Sequence, residues 1–123
     1  MRELKDHIVE GDLPQNQLKI EVADEPGVGG ANHVYEIRLM SEPRIVYGLV
    51  KFQNGPIQEA GINGITHEVL LAIVIDRLRS FQAGPFPSND NAIALEHCEF
   101  ALKYLQKRTM ERLARGVEGK TQE

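Results

Sequence analysis

The stretch "LQKRTMERLARGVEG" (residues 105–119) gathers Lys107, Arg108, Arg112 and Arg115, although the 123-residue chain carries a formal net charge of −4. Arg108 and Arg112 are four positions apart, so a helix would place both on one side. The planar arginine fork donates two parallel hydrogen bonds to a phosphate or a carboxylate. The pair therefore suits either an anion clamp or a structural salt bridge, with Glu68, Asp76 and Glu118 as the candidate carboxylates for the bridge. Upstream lie Phe81, Phe86 and Asn91. An aromatic ring can stack a base, and an asparagine amide can read a base edge.

Helical phase says where the cations point. With Asn91 set to zero and about 100° per residue, Ala94, Cys98, Ala101 and Leu105 fall at about 280–340°. Leu95 and Leu102 lie on the other flank of this apolar stripe. Arg112 falls near 300° and Arg108 near 260° by the same count, so both are expected to continue the stripe inward, on the hairpin side or the side of an oligomer. Lys103, Lys107 and Glu96 fall opposite, at about 120–160°, as solvated charges. Arg115 is explained equally well by the negative end of the helix dipole. At a rise of 1.5 Å per residue the two ends of this helix are about 25 Å apart. One chain cannot close Asn91 and Arg112 on one small ligand. Two antiparallel copies would bring Asn91 of one beside Arg108 and Arg112 of the other, at a subunit interface.

The elements that must carry these residues divide the chain into an α+β pattern. In "QLKIEV" the residues Leu18, Ile20 and Val22 alternate on one face, and in "HVYEIRLM" Tyr35, Ile37 and Leu39 do the same. "RIVYGLVKF" is rich in β-branched and aromatic residues. Period two with these residue types predicts strands. The glycine-rich "ADEPGVGGAN" (23–32) reads as a hairpin loop, because it lacks the Lys-Ser/Thr pair of a phosphate-binding loop and no helical pattern follows. Residues 1–53 are thus expected to form a small antiparallel sheet. Residues 54–119 are expected to form an antiparallel two-helix hairpin, with 120–123 a polar tail. Thr66 caps the first helix, which runs to about Phe81–Gln82 before Gly84 and Pro85 stop it. Ser88, Asn89 or Asp90 caps the second, which runs to about Arg115 and ends at Gly116. Asn63 and Gly64 suit a turn, or a backbone anion contact, before the first helix. That helix is apolar nearly all round at "VLLAIVI", so self-association is expected to cover what the sheet and second helix leave bare.

Composition narrows the function class. Hydrophobic content of 41% with 26% charged residues fits a folded chain. The acidic balance argues against a general DNA or RNA coat. A single Cys98 forms no internal disulfide and fits a reducing compartment; by phase it fills the apolar stripe. His7, His33, His67 and His97 show no metal-ligand spacing. No Ser/His/Asp set is supported by spacing. The N-terminus has no apolar h-region of a signal peptide, and "VLLAIVI" is too short to span a bilayer.

The phrases "NGITHE", "LLAIVIDRL", "FQAGPF", "NAIAL" and "KRTMERLARGVEG" together resemble the phage hairpin domain shared by the Thoeris anti-defence protein type one and the anti-CBASS protein type two. The likeness covers residues 54–119, and the N-terminal strands are similar to the Thoeris branch. The resemblance implies a non-enzymatic sponge that captures an immune second messenger without degrading it, in the cytoplasm of the infected bacterial host. For the Thoeris branch the messenger is a glycocyclic ADP-ribose made by a TIR-domain enzyme. Cyclic dinucleotides in the same pocket and cyclic trinucleotides in a separate one are further implied ligands. So is assembly into dimers that form hexamers. No cofactor, metal, membrane or nucleic-acid polymer is implied. Ligand residues carry over to Phe81, Asn91, Arg108 and Arg112, with Thr109 and Phe86 beside them. On this reading the arginines clamp the pyrophosphate, Asn91 bonds a base or ribose, and Phe81 walls the adenine. The linker "PSND" lacks the charged residue of the family pattern, which bears on messenger preference. The rival readings are an enzyme that hydrolyses the messenger and a purely structural oligomerisation domain.

Overall fold

The computed structural model describes residues 2–116. Glu118, the end of the hairpin region beyond Gly116 and the tail at 120–123 lie outside the described residues. Within them the chain forms two compact units, 2–54 with 62–64, and 55–61 with 65–116.

The first unit is a four-stranded antiparallel sheet of β1 (Arg2–Leu4), β2 (Leu18–Val22), β3 (Val34–Leu39) and β4 (Val46–Lys51), in spatial order β1-β2-β3-β4. The alternation read from sequence becomes register. Leu18 pairs with Leu39, Ile20 with Ile37 and Val22 with Tyr35, so both apolar sets share one face. Val22, at the end of β2, is the buried residue of that face. On β4, Val50 opposes Tyr35 and Gly48 opposes Ile37. A Cβ at position 48 would lie 3.0 Å from Ile37 Cδ1, so glycine there makes room for the isoleucine. The opposite face is largely charged, and Glu21 and Glu36 are matched along their own strands. Lys19 lies 3.7 Å from Glu21, and Arg38 lies 2.9 Å from Glu36. That arrangement offsets the direct opposition of Glu21 and Glu36 across β2 and β3. The strand β1 is an addition to the three expected; three residues are too few to show a period.

The 23–32 segment joins β2 to β3, as a hairpin loop should. Its anchor is Asp24, whose carboxylate accepts hydrogen bonds from the amides of His33 and Val34 at 3.0–3.1 Å. Partial burial opposes ionisation of Asp24. The Val34 and His33 amides and the nearby His33 ring outweigh it, so the carboxyl sits below its ordinary value. A depressed carboxyl stabilises the fold above its unfolded value, and this contribution is lost as pH falls through the folded one. Acidification below about pH 4 is therefore expected to expose the His33 and Val34 amides to hydrogen exchange. Asp24→Asn should remove that part of the acid response; an unchanged profile in the variant would refute the anchor role.

The same unit takes in residues 62–64 by a side-chain imitation of strand pairing. The Asn63 amide accepts from Asn54 N at 2.8 Å and donates to Asn54 O at 2.8 Å, and Asn63 N donates to Gln53 Oε1 at 3.0 Å. Asn63 N is thus committed within the protein, which favours the turn over an anion contact there. The clamp draws Gly64 onto the Phe52–Gln53 peptide, where a Cβ would lie 2.6 Å from Gln53 N and closer still to Phe52 C.

The second unit is helical: a single turn α1 (Ile57–Ala60), then α2 (His67–Ala83) and α3 (Asn89–Ala114). The expected caps are in place. Thr66 Oγ1 accepts from Val69 N at 3.3 Å, and Ser88 Oγ accepts from Asn91 N at 3.0 Å. The two long helices pack as an antiparallel hairpin. Glu68, Leu71, Ile75, Leu78 and Gln82 form the shielded row on α2, and Asn91, Leu95, Cys98, Leu102, Leu105, Thr109 and Arg112 form it on α3. Both rows step by three and four, the spacing of a two-helix seam. Ile75, at 2% exposure, is its most buried apolar residue.

Outside this seam both helices carry bare apolar surface. On α2, Val69 and Ile73 are exposed, Ile73 by 61%; on α3, Ile93, Phe100 and Tyr104 are exposed, Tyr104 by 65%. Phase puts Ile93, Phe100 and Tyr104 within about 40° of one another on α3. They form a second apolar face, distinct from the seam.

Candidate functional site

The six residues singled out by sequence fall at the two ends of the hairpin. At the linker end, Phe81 closes the last turn of α2, Phe86 projects from the linker with 80% exposure, and Asn91 opens α3 half-buried. The linker is held by Gln82. Its side chain accepts from Ser88 N and donates to Ser88 O, both at 3.0 Å. This pair fixes the span 83–87 and so the position from which Phe86 projects.

At the far end lie Arg108, Thr109 and Arg112. Thr109 is half-buried, and its hydroxyl donates a long hydrogen bond of 3.5 Å to Glu68 Oε2. Arg112 continues the seam as phase predicted, with its Nε buried. Arg108 does not join the hairpin seam, one of the two packed sides expected for it. It is exposed and lies beside the seam, as do Ala94 and Ala101. The seam follows Asn91, Cys98, Leu105 and Arg112, and is rotated away from the centre assigned by composition. The two alanines and Arg108 instead border the second apolar face. Hydrophobic phase alone averaged the two faces into one stripe.

Of the proposed bridge partners, Asp76 falls elsewhere. Asp76 lies on the side of α2 away from the seam. Glu68 meets Thr109, and Glu118 is outside the described residues. Among the described residues Arg108 forms no ion pair. Lys107, by contrast, behaves as an ordinary solvated cation, 3.8 Å from Glu111 on the next turn.

An open groove of about 640 Å³ runs along the outer side of α2 into the linker, lined by Ile73, Asp76, Arg77, Ser80, Phe81, Gly84, Pro85 and Phe86. Arg77 Cζ stands 5.0 Å over the Phe81 ring, within cation–π range. Ser80 Oγ donates back to Asp76 O at 3.0 Å. Sequence reading found the two phenylalanines of this groove but missed Arg77 and Ser80, and weighed Asp76 only as a bridge. The signal was present: 73, 76, 77, 80 and 81 share one helical side. Among the described residues no group of three or more His, Cys, Asp or Glu side chains gathers to hold a metal.

An aromatic groove at one end of a hairpin, with arginines at the other, can be compared with known proteins. The family model described as the Acb2/Tad1 hairpin domain matches residues 46–110, more than half of the chain. The protein belongs to this Acb2/Tad1 family. A relative named Thoeris anti-defense 1, from Bacillus phage SBSphiJ7, is 51% identical over 70 residues, 57% of this chain and 49% of that protein. The chain thus aligns with about half the length of this curated relative. The family match takes in β4, α1, α2 and most of α3. It includes all six candidate ligand residues except Arg112, which lies two residues beyond it.

Proposed function

We propose that the protein is a phage anti-defence sponge that sequesters a glycocyclic ADP-ribose messenger of the Thoeris system, without degrading it, in the cytoplasm of the infected bacterial host. The observation that carries this reading is the division of the site. Rings suited to a base stand at one end of the hairpin, and Arg108, without an ion pair among the described residues, stands with Arg112 at the other. About 25 Å of helix separates Asn91 from Arg108. Antiparallel pairing of two copies through the bare apolar faces of α2 and α3 closes that distance and covers those faces. The sponge is accordingly a homo-oligomer, a dimer or a higher assembly of dimers. In each site Arg108 and Arg112 clamp the pyrophosphate, Thr109 flanks them, Asn91 bonds a base or ribose, and Phe81 and Phe86 wall the adenine. Sequestration needs only affinity and an excess of protein over messenger. The family's shared description with the Acb2 branch extends the reading to CBASS cyclic dinucleotides and trinucleotides as further ligands.

The test is capture and release. Protein is mixed with a glycocyclic ADP-ribose, freed of unbound ligand, denatured, and the released material identified by mass. Intact messenger is the expected result. Hydrolysed messenger would make the protein an enzyme, and retention of neither this ligand nor any cyclic di- or trinucleotide would leave a structural oligomerisation domain.

A further inference from the structure

Phe81 lies in the last turn of α2, which ends at Ala83, and it is 44% exposed. A ring in such a place has little around it to hold one orientation. Arg77 supplies the hold. It is four residues earlier, the spacing that brings two side chains together on one helix face. Its guanidinium carbon stands 5.0 Å from the centroid of the Phe81 ring, over the face of the ring. That face is the negative part of the aromatic quadrupole and attracts the cation. The two nearby arginines of α2 are used differently. Arg79 reaches across to Glu99 at 2.7 Å and ties α2 to α3. Arg77 forms no ion pair or hydrogen bond among the described residues, and its recorded partner is the ring. Both Arg77 and Phe81 line the open groove, so the pair stands where a ligand would meet it. With the cation over one face, a base can stack on the other. Ordering a loose side chain at the moment of binding weakens affinity, and a side chain already held avoids that loss.

We propose that Arg77 is a positioning residue for messenger binding: its guanidinium holds one face of the Phe81 ring, and the ring presents its opposite face as a preformed platform for the base. The inference rests on the sponge reading and adds to it a residue that acts through Phe81. Its contribution depends on charge, because a neutral side chain of similar length packs against the ring without the attraction to its negative face.

The experiment is a double-mutant cycle read by two measurements. The probe is a glycocyclic ADP-ribose, and its dissociation constant is measured for wild type, Arg77→Met, Arg77→Lys, Phe81→Leu and the Arg77→Met/Phe81→Leu double variant. Arg77→Met should bind about three- to tenfold more weakly than wild type, the range of a partly desolvated cation–π contact. Arg77→Lys should recover part of the loss, because an ammonium is also drawn to the ring. In the Phe81→Leu background, Arg77→Met should change affinity less than about twofold, since the group through which it acts is gone. The second measurement needs no ligand. In the free protein the side-chain protons of Arg77 should be shifted upfield by the Phe81 ring current, and Phe81→Leu should abolish the shift. The Arg77 variants should melt as the wild type does, because an exposed pair at this spacing adds little stability. Equal capture by Arg77→Met and wild type, or no ring-current shift, would refute the positioning role and leave the sponge reading standing. A loss that persists in full without Phe81 would show Arg77 touching the ligand itself, which also overturns it. If wild-type protein retains no messenger, the sponge reading falls and this inference with it.

Discussion

Arg108→Ala is expected to lose messenger capture while leaving the protein as stable as before. The side chain is exposed and forms no ion pair among the described residues, so its removal should change stability by no more than about 0.5 kcal/mol. Its contact with a phosphate would be charge-assisted and bidentate. Loss of such an interaction costs about 1.5–3 kcal/mol or more, a tenfold to hundredfold weakening or greater, enough to empty a protein washed free of ligand. Arg108→Lys should recover only part of this, because an ammonium offers a point charge where the fork gave two aligned donors. Arg112→Ala should likewise lose capture but also destabilise the hairpin, since its Nε is buried in the seam. Thermal melting and retained ligand, measured on the same samples, separate the two effects. Normal retention by Arg108→Ala would remove the clamp from the mechanism. A large drop in its melting temperature would return Arg108 to a structural salt bridge.

Gly64→Ala is expected to be the most destabilising glycine-to-alanine change among the described residues. The new methyl would lie 2.6 Å from Gln53 N and within the contact radius of the Phe52 carbonyl. These are backbone atoms, so no rotamer change relieves the clash. Overpacking ordinarily costs about 1–3 kcal/mol, and a collision with main chain on both sides of a peptide should reach about 3 kcal/mol or more. The Asn63–Asn54 clamp would have to open, so exchange of the Asn54 and Asn63 amides should rise together in a hydrogen-exchange measurement. Gly29→Ala is the useful comparison. Gly29 has φ +78° but nothing within 4 Å of the added carbon, so only left-handed backbone strain of about 1–2 kcal/mol applies. Equal melting temperatures for the two variants would show that the close approach at Gly64 is relieved cheaply.

Much of the fold was legible because its signals are local. Leu18, Ile20 and Val22 opposite Leu39, Ile37 and Tyr35 is a period-two pattern written twice. Thr66 and Ser88 are recognisable caps because an N-cap oxygen acts within three residues. What escaped reading depends on partners far along the chain. The strand β1 is defined by pairing with β2, from Arg2–Val22 to Leu4–Ile20, and by nothing in its own three residues. The need for glycine at position 64 comes from Phe52, twelve residues earlier. In the candidate site, sequence found the aromatic and arginine residues, whose chemistry is conspicuous. It left open whether Arg108 faces the seam or an oligomer, because α3 has two apolar faces and a single phase average cannot resolve two. It weighed Asp76 only as a bridge and passed over Arg77, because a charged residue on a helix is ordinarily solvated, and only the structure places Arg77 over the Phe81 ring.

The 25 Å that separates the two halves of the site along α3 has a consequence for dose. In the proposed assembly a ligand joins the rings of one copy to the arginines of another, so capture and pairing draw on the same equilibrium. When the protein is scarce, messenger and protein must meet as three bodies, and capacity rises more steeply than in proportion to the amount made. Bound messenger in turn holds the copies together. Dilution would release both at once, so the sponge would operate with a threshold concentration.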